Sequence, residues 1–178
     1  PLYDVSMDAG EATDRLLTVD PKRLRGPAHH GSVLFRRDLY ERVGGYREQF
    51  HFAQDLDLWV RLAEQGRHVA IPDVLYEASF TPGSISGLYR DRQIACAGII
   101  VECAGLRRAG PSEAEALARA AAIVPGRGTT TPADRAAALY FLGVCLRKRA
   151  DPRARQYFRE ALRADPLHVK SAVRLLFG

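Results

Sequence analysis

Proline divides the second half of the chain into segments of helical length. Beyond Ser86, breaks fall at Gly110-Pro111, Pro125-Gly126, Asp151-Pro152 and Asp165-Pro166. Proline ends a helix that reaches it and is tolerated in the first turn of the next, so these breaks predict separate helices. The expected ranges are 87 to 108, 112 to 123, 133 to 149, 152 to 164 and 167 to 177. The second half is therefore predicted to be entirely helical.

The first half has a mixed pattern. Residues 1 to 30 combine Pro, Gly, Asp and short apolar runs without a period, which is typical of a long connecting segment. Further on, β-prone runs predict strands at Ser32-Val33-Leu34-Phe35, at His68 to Ile71 and at Val74 to Phe80. A short helix is predicted from Asp38 to Val43, closed by Gly44-Gly45. The chain is thus predicted to have an α/β first half and an all-α tail.

A longer helix is predicted from Asp55 to Gln65, ending at Gly66. An apolar face is formed by Leu58, Trp59, Leu62 and Ala63, and Asp55 shares that face because it lies four residues before Trp59. Asp57 and Arg61 also stand four residues apart, on another face, where they can form an ion pair. The two carboxylates should therefore occupy different environments.

Composition indicates a globular chain, with 47% hydrophobic and 26% charged residues. The net charge of +5 is mostly arginine spread along the chain and mixed with acids, which favours a solvated surface over a nucleic-acid site. Three cysteines without CxxC spacing, at positions 96, 103 and 145, indicate buried free thiols and a reducing compartment. No apolar run approaches the roughly 18 residues of a membrane span. A cytoplasmic location is expected, with peripheral attachment to the inner face of a membrane as a variant of it.

Five short motifs follow one another over about residues 28 to 90. They are listed here in order: His30-Gly31-Ser32-Val33-Leu34-Phe35-Arg36-Arg37, Gly44-Gly45-Tyr46, Gln54-Asp55-Leu56-Asp57-Leu58-Trp59-Val60-Arg61-Leu62, Pro72-Asp73-Val74-Leu75-Tyr76 and Pro82-Gly83-Ser84-Ile85-Ser86. In this order they resemble the acceptor-side part of family 2 glycosyltransferases.

The resemblance implies a partial GT-A (Rossmann-like) domain at residues 1 to 110 that lacks its nucleotide-binding half. That half is expected upstream of Pro1, together with an Asp-x-Asp motif that binds Mg²⁺ or Mn²⁺, so no metal ligand is assigned in this chain. The intact protein would be an inverting, hexosyltransferase-like enzyme using a nucleotide-sugar donor. Its acceptor would be a hydroxyl of a glycan, a lipid-linked glycan or a protein. The present chain alone is expected to be inactive.

Residue by residue, the resemblance makes Asp55 the catalytic base, with His30, Asp57 and Trp59 at the acceptor and Arg61 as structural support. The dipole of a helix favours an ionised carboxylate in its first turn, which suits a base. The same position also suits a residue that only stabilises the helix. Trp59 likewise has a second interpretation as a core residue, and Asp57 as the structural partner of Arg61.

One departure from the family pattern concerns the residues just before Pro82. Many members carry an Arg and a His there, and the His can help hold the metal or the diphosphate. This sequence has Ser79 and Thr81 instead. The replacement implies a different donor geometry or a degenerate enzyme.

The last part of the chain resembles one tetratricopeptide repeat. Its spacing is carried by Leu139, Leu142, Gly143, Leu146, Ala154, Phe158, Ala161 and Pro166. We expect residues 111 to 132 to be a helix and linker and residues 133 to 178 to be this helical region. It could bind a protein partner, continue a longer repeat array or pack against the first domain. An interaction module with a transferase remnant is therefore the alternative to an enzyme.

Overall fold

The computed structural model describes residues 10–27, 29–73, 75–76, 89–126 and 131–177. The first half contains a two-residue strand β1, helix α1, a 3-10 turn, helices α2 and α3, and a two-residue strand β2. In that order they are Gly10–Glu11, Thr13–Leu16, His30–Ser32, Arg37–Arg42, Gln54–Ala63 and Val69–Ala70. The second half contains helices α4 to α8, which are Arg90–Ala109, Ala114–Ala121, Pro132–Lys148, Ala154–Ala164 and Val169–Leu176.

The predicted α/β class is wrong, because the described residues form an all-α structure. Within them, the strands are confined to β1 and β2, which pair antiparallel with Gly10 opposite Ala70 and Glu11 opposite Val69. The run Ser32 to Phe35 begins in the 3-10 turn and forms no strand. A β-prone run becomes a strand only where a neighbour satisfies its backbone groups, and β1 offers just two residues. Most of the predicted strand Val74 to Phe80 lies outside the described residues.

The predicted helices are confirmed to within a few residues at each end. The breaks at Gly110-Pro111, Asp151-Pro152 and Asp165-Pro166 all fall between helices. The last two breaks are built alike, since the side chain of each Asp accepts a hydrogen bond from the backbone N–H two residues on, at 2.9 Å for Asp151 and 3.0 Å for Asp165. Proline has no backbone N–H, and in each turn the Asp side chain accepts a hydrogen bond from the N–H of the residue just after the Pro.

The chain divides into two compact units. We call residues 5–76 and 91–126 the N-terminal unit, and residues 1–4, 77–90 and 127–178 the C-terminal unit. The N-terminal unit is centred on α3, where every residue from Asp57 to Ala63 is buried. Its core continues into the buried residues of α4 and α5, which include Cys96, Ile100, Cys103, Ala116 and Ala120.

The beginning of the chain does more than connect. In residues 10–27, where only a linker was expected, α1 packs on α3 and buries Leu16, and Leu24 is buried as well. The backbone of Gly26 lies so close to α3 that a Cβ there would be 2.9 Å from Cε3 of Trp59. These elements are too short to show a hydrophobic period, which is why the sequence pattern missed them.

The C-terminal unit consists of α6 to α8 and has its own core. Helix α6 begins with a capping box, in which Thr131 and Asp134 satisfy each other's backbone N–H groups. Gly143 lets α7 pack closely against α6, since a Cβ on Gly143 would lie 2.5 Å from Cε1 of Phe158. Phe158 is buried with Leu146 and Ala154. Within the described residues, no helix is both long enough and apolar enough to cross a membrane.

Candidate functional site

The Gly44-Gly45 turn directs Tyr46 toward His30. Both glycines have positive φ, 80° and 68°, a conformation that L side chains rarely adopt. A Cβ on Gly45 would also lie 2.9 Å from the hydroxyl oxygen of Tyr40. With the chain reversed in this way, the Tyr46 hydroxyl is 2.8 Å from Nε2 of His30. Two motifs that are sixteen residues apart in sequence are thereby joined by a hydrogen bond.

Around this hydrogen bond lies a group of rings that we call the aromatic cluster, formed by His30, Tyr40, Tyr46, Trp59 and Tyr76. The ring centroids of His30 and Trp59 are 6.2 Å apart, and those of Tyr40 and Tyr46 are 5.9 Å apart. Tyr76, from the motif at residues 72 to 76, lies at the edge of the cluster: its ring centroid is 5.8 Å from that of His29, and a Cβ on Gly31 would be 2.7 Å from its hydroxyl oxygen. Tyr46 is 38% exposed and Tyr76 45% exposed. Their rings therefore remain accessible to a ligand.

Asp55 is half-buried in the first turn of α3, next to the cluster. Its Oδ1 accepts a hydrogen bond of 2.9 Å from the backbone N–H of Leu56. Among the described residues this is the one hydrogen bond that the carboxylate makes. Burial raises the pKa of Tyr46, and repulsion from Tyr40 and Asp55 raises it further. The carboxylate of Asp55 is thus close enough to Tyr46 to act on it electrostatically, and it retains lone pairs for another partner.

Comparisons with known proteins give no match for the chain. No protein-family model matches it, and neither the curated proteins nor the solved structures contain a significant match. The resemblance to family 2 glycosyltransferases therefore stays a prediction from the motifs.

Asp57 lies in an environment opposite in kind to that of Asp55. It is 1% exposed, and its Oδ2 accepts hydrogen bonds from Nη2 of Arg61 at 2.6 Å and from Nε at 3.0 Å. Arg61 also donates to the carbonyl of Val43 at 2.7 Å, which fixes the end of α2 on α3. The ion pair expected from their spacing is present in the structure. The Asp57 carboxylate is enclosed in protein.

The ion pair is one end of a longer ion-pair chain. Arg47 lies 3.7 Å from Oδ1 of Asp57 and 2.6 Å from Glu113. Arg107 then bridges Glu113, at 2.8 Å, and Glu64, at 2.7 Å. The chain ends at Arg108, which is 3.1 Å from Glu64. It joins α3 to both ends of the loop between α4 and α5.

Within the ion-pair chain, hydrogen bonds from the arginines outweigh the effect of burial on the pKa of Glu113. Burial alone would raise the pKa of Glu113, but hydrogen bonds from Arg47 and Arg107 lower it below its ordinary value. A cavity of about 380 Å³ is lined by Arg107, Arg108 and Glu64 of the ion-pair chain. Since both arginines are already paired with Glu64, this cavity offers no free cation for a ligand.

Trp59 is a buried residue with an unpaired indole N–H among the described residues. It is 4% exposed and packs on Gly26, as expected of a core residue. Its indole N–H nevertheless has no hydrogen-bond acceptor among the described residues. A buried donor of this kind ordinarily has a partner. The burial of Trp59 agrees with its interpretation as a core residue, and its role at the acceptor stays a prediction.

The cysteines give no nucleophile at this site. Cys96 and Cys103 are buried and Cys145 is half-buried, and all three are free thiols. Burial, with repulsion from Glu113, raises the pKa of Cys103 to about 11, so its reactive thiolate form is suppressed.

Within the described part of the chain, no group of three or more His, Cys, Asp or Glu could hold a metal ion. The described residues therefore do not fit a Mg²⁺ or Mn²⁺ site. Ser79 and Thr81, and the motif at residues 82 to 86, lie outside the described residues.

Sequence reasoning overlooked the tyrosines. Tyr40, Tyr46 and Tyr76 were not proposed as site residues, although the last two belong to the motifs. The available signal was the pair Gly44-Gly45, since two glycines before an aromatic residue indicate a tight turn that places the ring.

Proposed function

We propose that this chain supplies the acceptor side of an inverting sugar transfer, with Asp55 as the base. The supporting observation is that three motifs between residues 30 and 59 meet in the aromatic cluster, that Tyr76 of a fourth motif lies against Gly31, and that Asp55 acts electrostatically on Tyr46. The proposal concerns the site and takes no support from the fold, because the described residues are all-α.

In the proposed reaction, an acceptor hydroxyl attacks the anomeric carbon of a nucleotide sugar. The new bond forms as the bond to the nucleotide diphosphate breaks, so the configuration at that carbon inverts. Asp55 takes the hydroxyl proton, and the diphosphate leaves with the electron pair of the broken bond. A positioned base of this kind contributes about 10²- to 10⁴-fold to the rate. In this proposal, the donor and the divalent metal are held by residues outside the described part of the chain.

The acceptor would bind on the aromatic cluster. Sugar rings present C–H faces that pack on exposed aromatic rings, and Tyr46 and Tyr76 offer such surfaces next to Asp55. The hydrogen bond to His30 holds the Tyr46 ring in place. Trp59 would support the cluster from within. A glycan, either free or carried by a lipid or a protein, fits this chemistry, and the free thiols favour a reducing compartment such as the cytoplasm.

Acceptor binding can be tested on the chain itself, because Trp59 is its single tryptophan. The fluorescence of Trp59 is followed while oligosaccharides of glucose, galactose, mannose and N-acetylglucosamine are added. We expect a saturable change with at least one of them, lost in Tyr46→Ala and kept in Asp55→Asn. Nucleotide sugars with Mg²⁺ or Mn²⁺ should give no saturable heat in calorimetry. If no sugar changes the fluorescence, the acceptor site is not here.

The role of Asp55 as the base is tested by measuring the rate of sugar transfer. In a chain that also carries a nucleotide-binding half, Asp55→Asn should lower the transfer rate by about 10²- to 10⁴-fold while saccharide binding stays within a few fold. The matched control is Glu48→Gln, an exposed carboxylate in the same unit, which should leave transfer unchanged. Equal transfer by Asp55→Asn and the parent chain would end the proposal.

A protein-interaction module is the second candidate, and the separate core of the C-terminal unit favours it. This candidate predicts a binding partner that requires residues 133 to 178, and no sugar binding at the cluster. The fluorescence titration addresses the acceptor site, since saccharide binding that is lost in Tyr46→Ala supports it, and the transfer assay then shows whether that site is catalytic.

A further inference from the structure

The last helix exposes an apolar stripe. Val169, Val173 and Leu176 lie at helical spacing on one face of α8, and they are 70%, 46% and 75% exposed. Phe177, just past the helix, is 83% exposed, and Leu167, just before it, is 85% exposed. We call these five residues the apolar stripe. Large side chains are rarely left in water together over a whole helix face, so the stripe indicates a binding surface.

The opposite face of α8 is anchored. Ser171 is fully buried, and its hydroxyl is 2.8 Å from Nδ1 of His168. Leu175 packs against the core residues Leu146, Ala154 and Phe158. These contacts fix the rotation of α8, so the apolar stripe is held outward and does not depend on a mobile side chain.

Positive charge lies beside the apolar stripe. Lys170 and Arg174 are exposed on α8, and the segment from residue 166 to residue 177 contains no acidic residue. On α7, exposed arginines recur every four residues at Arg155, Arg159 and Arg163. The first of them donates to the carbonyl of Leu175 at 3.4 Å, at the C-terminal end of α8.

The net charge of the chain is concentrated in this region. Residues 131 to 178 contain ten Lys and Arg against four Asp and Glu, a net of +6, whereas residues 1 to 130 have a net of −1. Arginines and acidic residues occur together in both parts of the chain, but the excess of positive charge lies in residues 131 to 178. The partner of the apolar stripe should be anionic.

We propose that α8 lies in the interface of an anionic lipid bilayer, with the apolar stripe inserted and the cations among the headgroups. A helix that is apolar on one side and Lys- or Arg-rich beside it is suited to this position. Long basic side chains reach the headgroups while their methylene groups stay in the apolar layer. The exposed apolar residues lie along a single helix with exposed cations on that same helix, so one anionic surface can contact both along the length of α8. Because the helix is short, the contact is reversible.

The probe is a vesicle of defined composition, mixed with the chain of 178 residues and separated by sedimentation. We expect binding to phosphatidylcholine vesicles that contain about one third phosphatidylglycerol, weak binding without the anionic lipid, and release by salt. Leu176→Ser with Phe177→Ser should abolish binding without unfolding, because both side chains are exposed. Their matched control is Val19→Ser with Leu34→Ser, which are 79% and 99% exposed elsewhere in the chain.

The charge contribution is measured separately. Each cation near an anionic surface changes the partition coefficient roughly fivefold, so Lys170→Gln with Arg174→Gln should weaken binding roughly 25-fold. Lys22→Gln with Arg23→Gln, also exposed, should leave it unchanged. Binding that is absent, or that is the same in the stripe variant and its control, would overturn the proposal. So would a soluble dimer that disappears in the stripe variant when vesicles bind neither protein.

Discussion

Replacing Asp57 with Asn should destabilise the N-terminal unit severely. The side chains of Asp57 and Arg61 are 2% and 3% exposed and 2.6 Å apart. Asn keeps the shape and one acceptor, so the main change is the loss of the negative charge that balances Arg61. Breaking a buried ion pair from one side costs about 3–5 kcal/mol, because the remaining charge stays desolvated. That is a large share of the roughly 5–15 kcal/mol that holds a domain folded.

Urea unfolding followed by the fluorescence of Trp59 measures this loss, since the reporter lies two residues from the mutation. For a domain of this size, the free energy of unfolding falls by about 1–3 kcal/mol per molar urea. A loss of about 3–5 kcal/mol therefore lowers the unfolding midpoint by at least 1 M, or leaves the unit unfolded in water.

Two further variants make the result specific. Asp55→Asn is the same chemical change two residues earlier, and it should alter stability by no more than about 0.5 kcal/mol because its carboxylate has a single local hydrogen bond. Asp57→Leu with Arg61→Met removes both charges, and apolar replacement of a whole pair is commonly neutral or stabilising. Recovery in the double variant would confirm the cause. If Asp57→Asn unfolds within about 0.5 kcal/mol of the parent chain, the reasoning is refuted.

Two other predictions concern packing and pH. Gly143→Ala should destabilise the C-terminal unit in thermal melts, because the overpacking cost of about 1–3 kcal/mol against the ring of Phe158 exceeds the gain of up to about 1 kcal/mol in helix propensity. Gly105→Ala in α4, where a Cβ meets open space, should instead stabilise the chain, and equal shifts would contradict the close packing. Glu113 has a lowered pKa in the folded state, so the unfolded state binds the extra proton as the pH falls and stability drops below about pH 4.5. Urea midpoints of Glu113→Gln and the parent chain should therefore converge in acid, and a constant difference from pH 7 to pH 3 would refute this.

The helices were predictable because residues at their own ends determine where they begin and end. Proline at 111, 132, 152 and 166 determines where a helix cannot continue, whatever the rest of the chain does. The spacing of Asp57 and Arg61 likewise needs only the helical period to predict an ion pair. Its extension through Arg47, Glu113 and Arg107 joins residues up to 66 positions apart. Nothing in the local pattern indicates that connection.

The strand prediction for residues 32 to 35 was wrong because strand pairing depends on residues far away in the sequence. Ser32-Val33-Leu34-Phe35 has the composition of a strand, but pairing depends on a partner elsewhere in the chain, and Leu34 is 99% exposed in the structure. The resemblance supplied the expectation of a sheet around these runs. The described residues contain only the β1–β2 pair to receive them.

The secondary structure of an Asp-x-Asp sequence decides whether its two carboxylates can bind one cation together. On a strand, residues two apart lie on the same face and can bind one cation together. On a helix, two residues correspond to about 200° of rotation, so the side chains leave nearly opposite faces. In α3 this rotation sends Asp57 into the core toward Arg61 and leaves Asp55 half-exposed beside Tyr46. The motif therefore cannot act here as a shared metal ligand. Replacing one carboxylate at a time should separate stability, which depends on Asp57, from the proposed chemistry, which depends on Asp55.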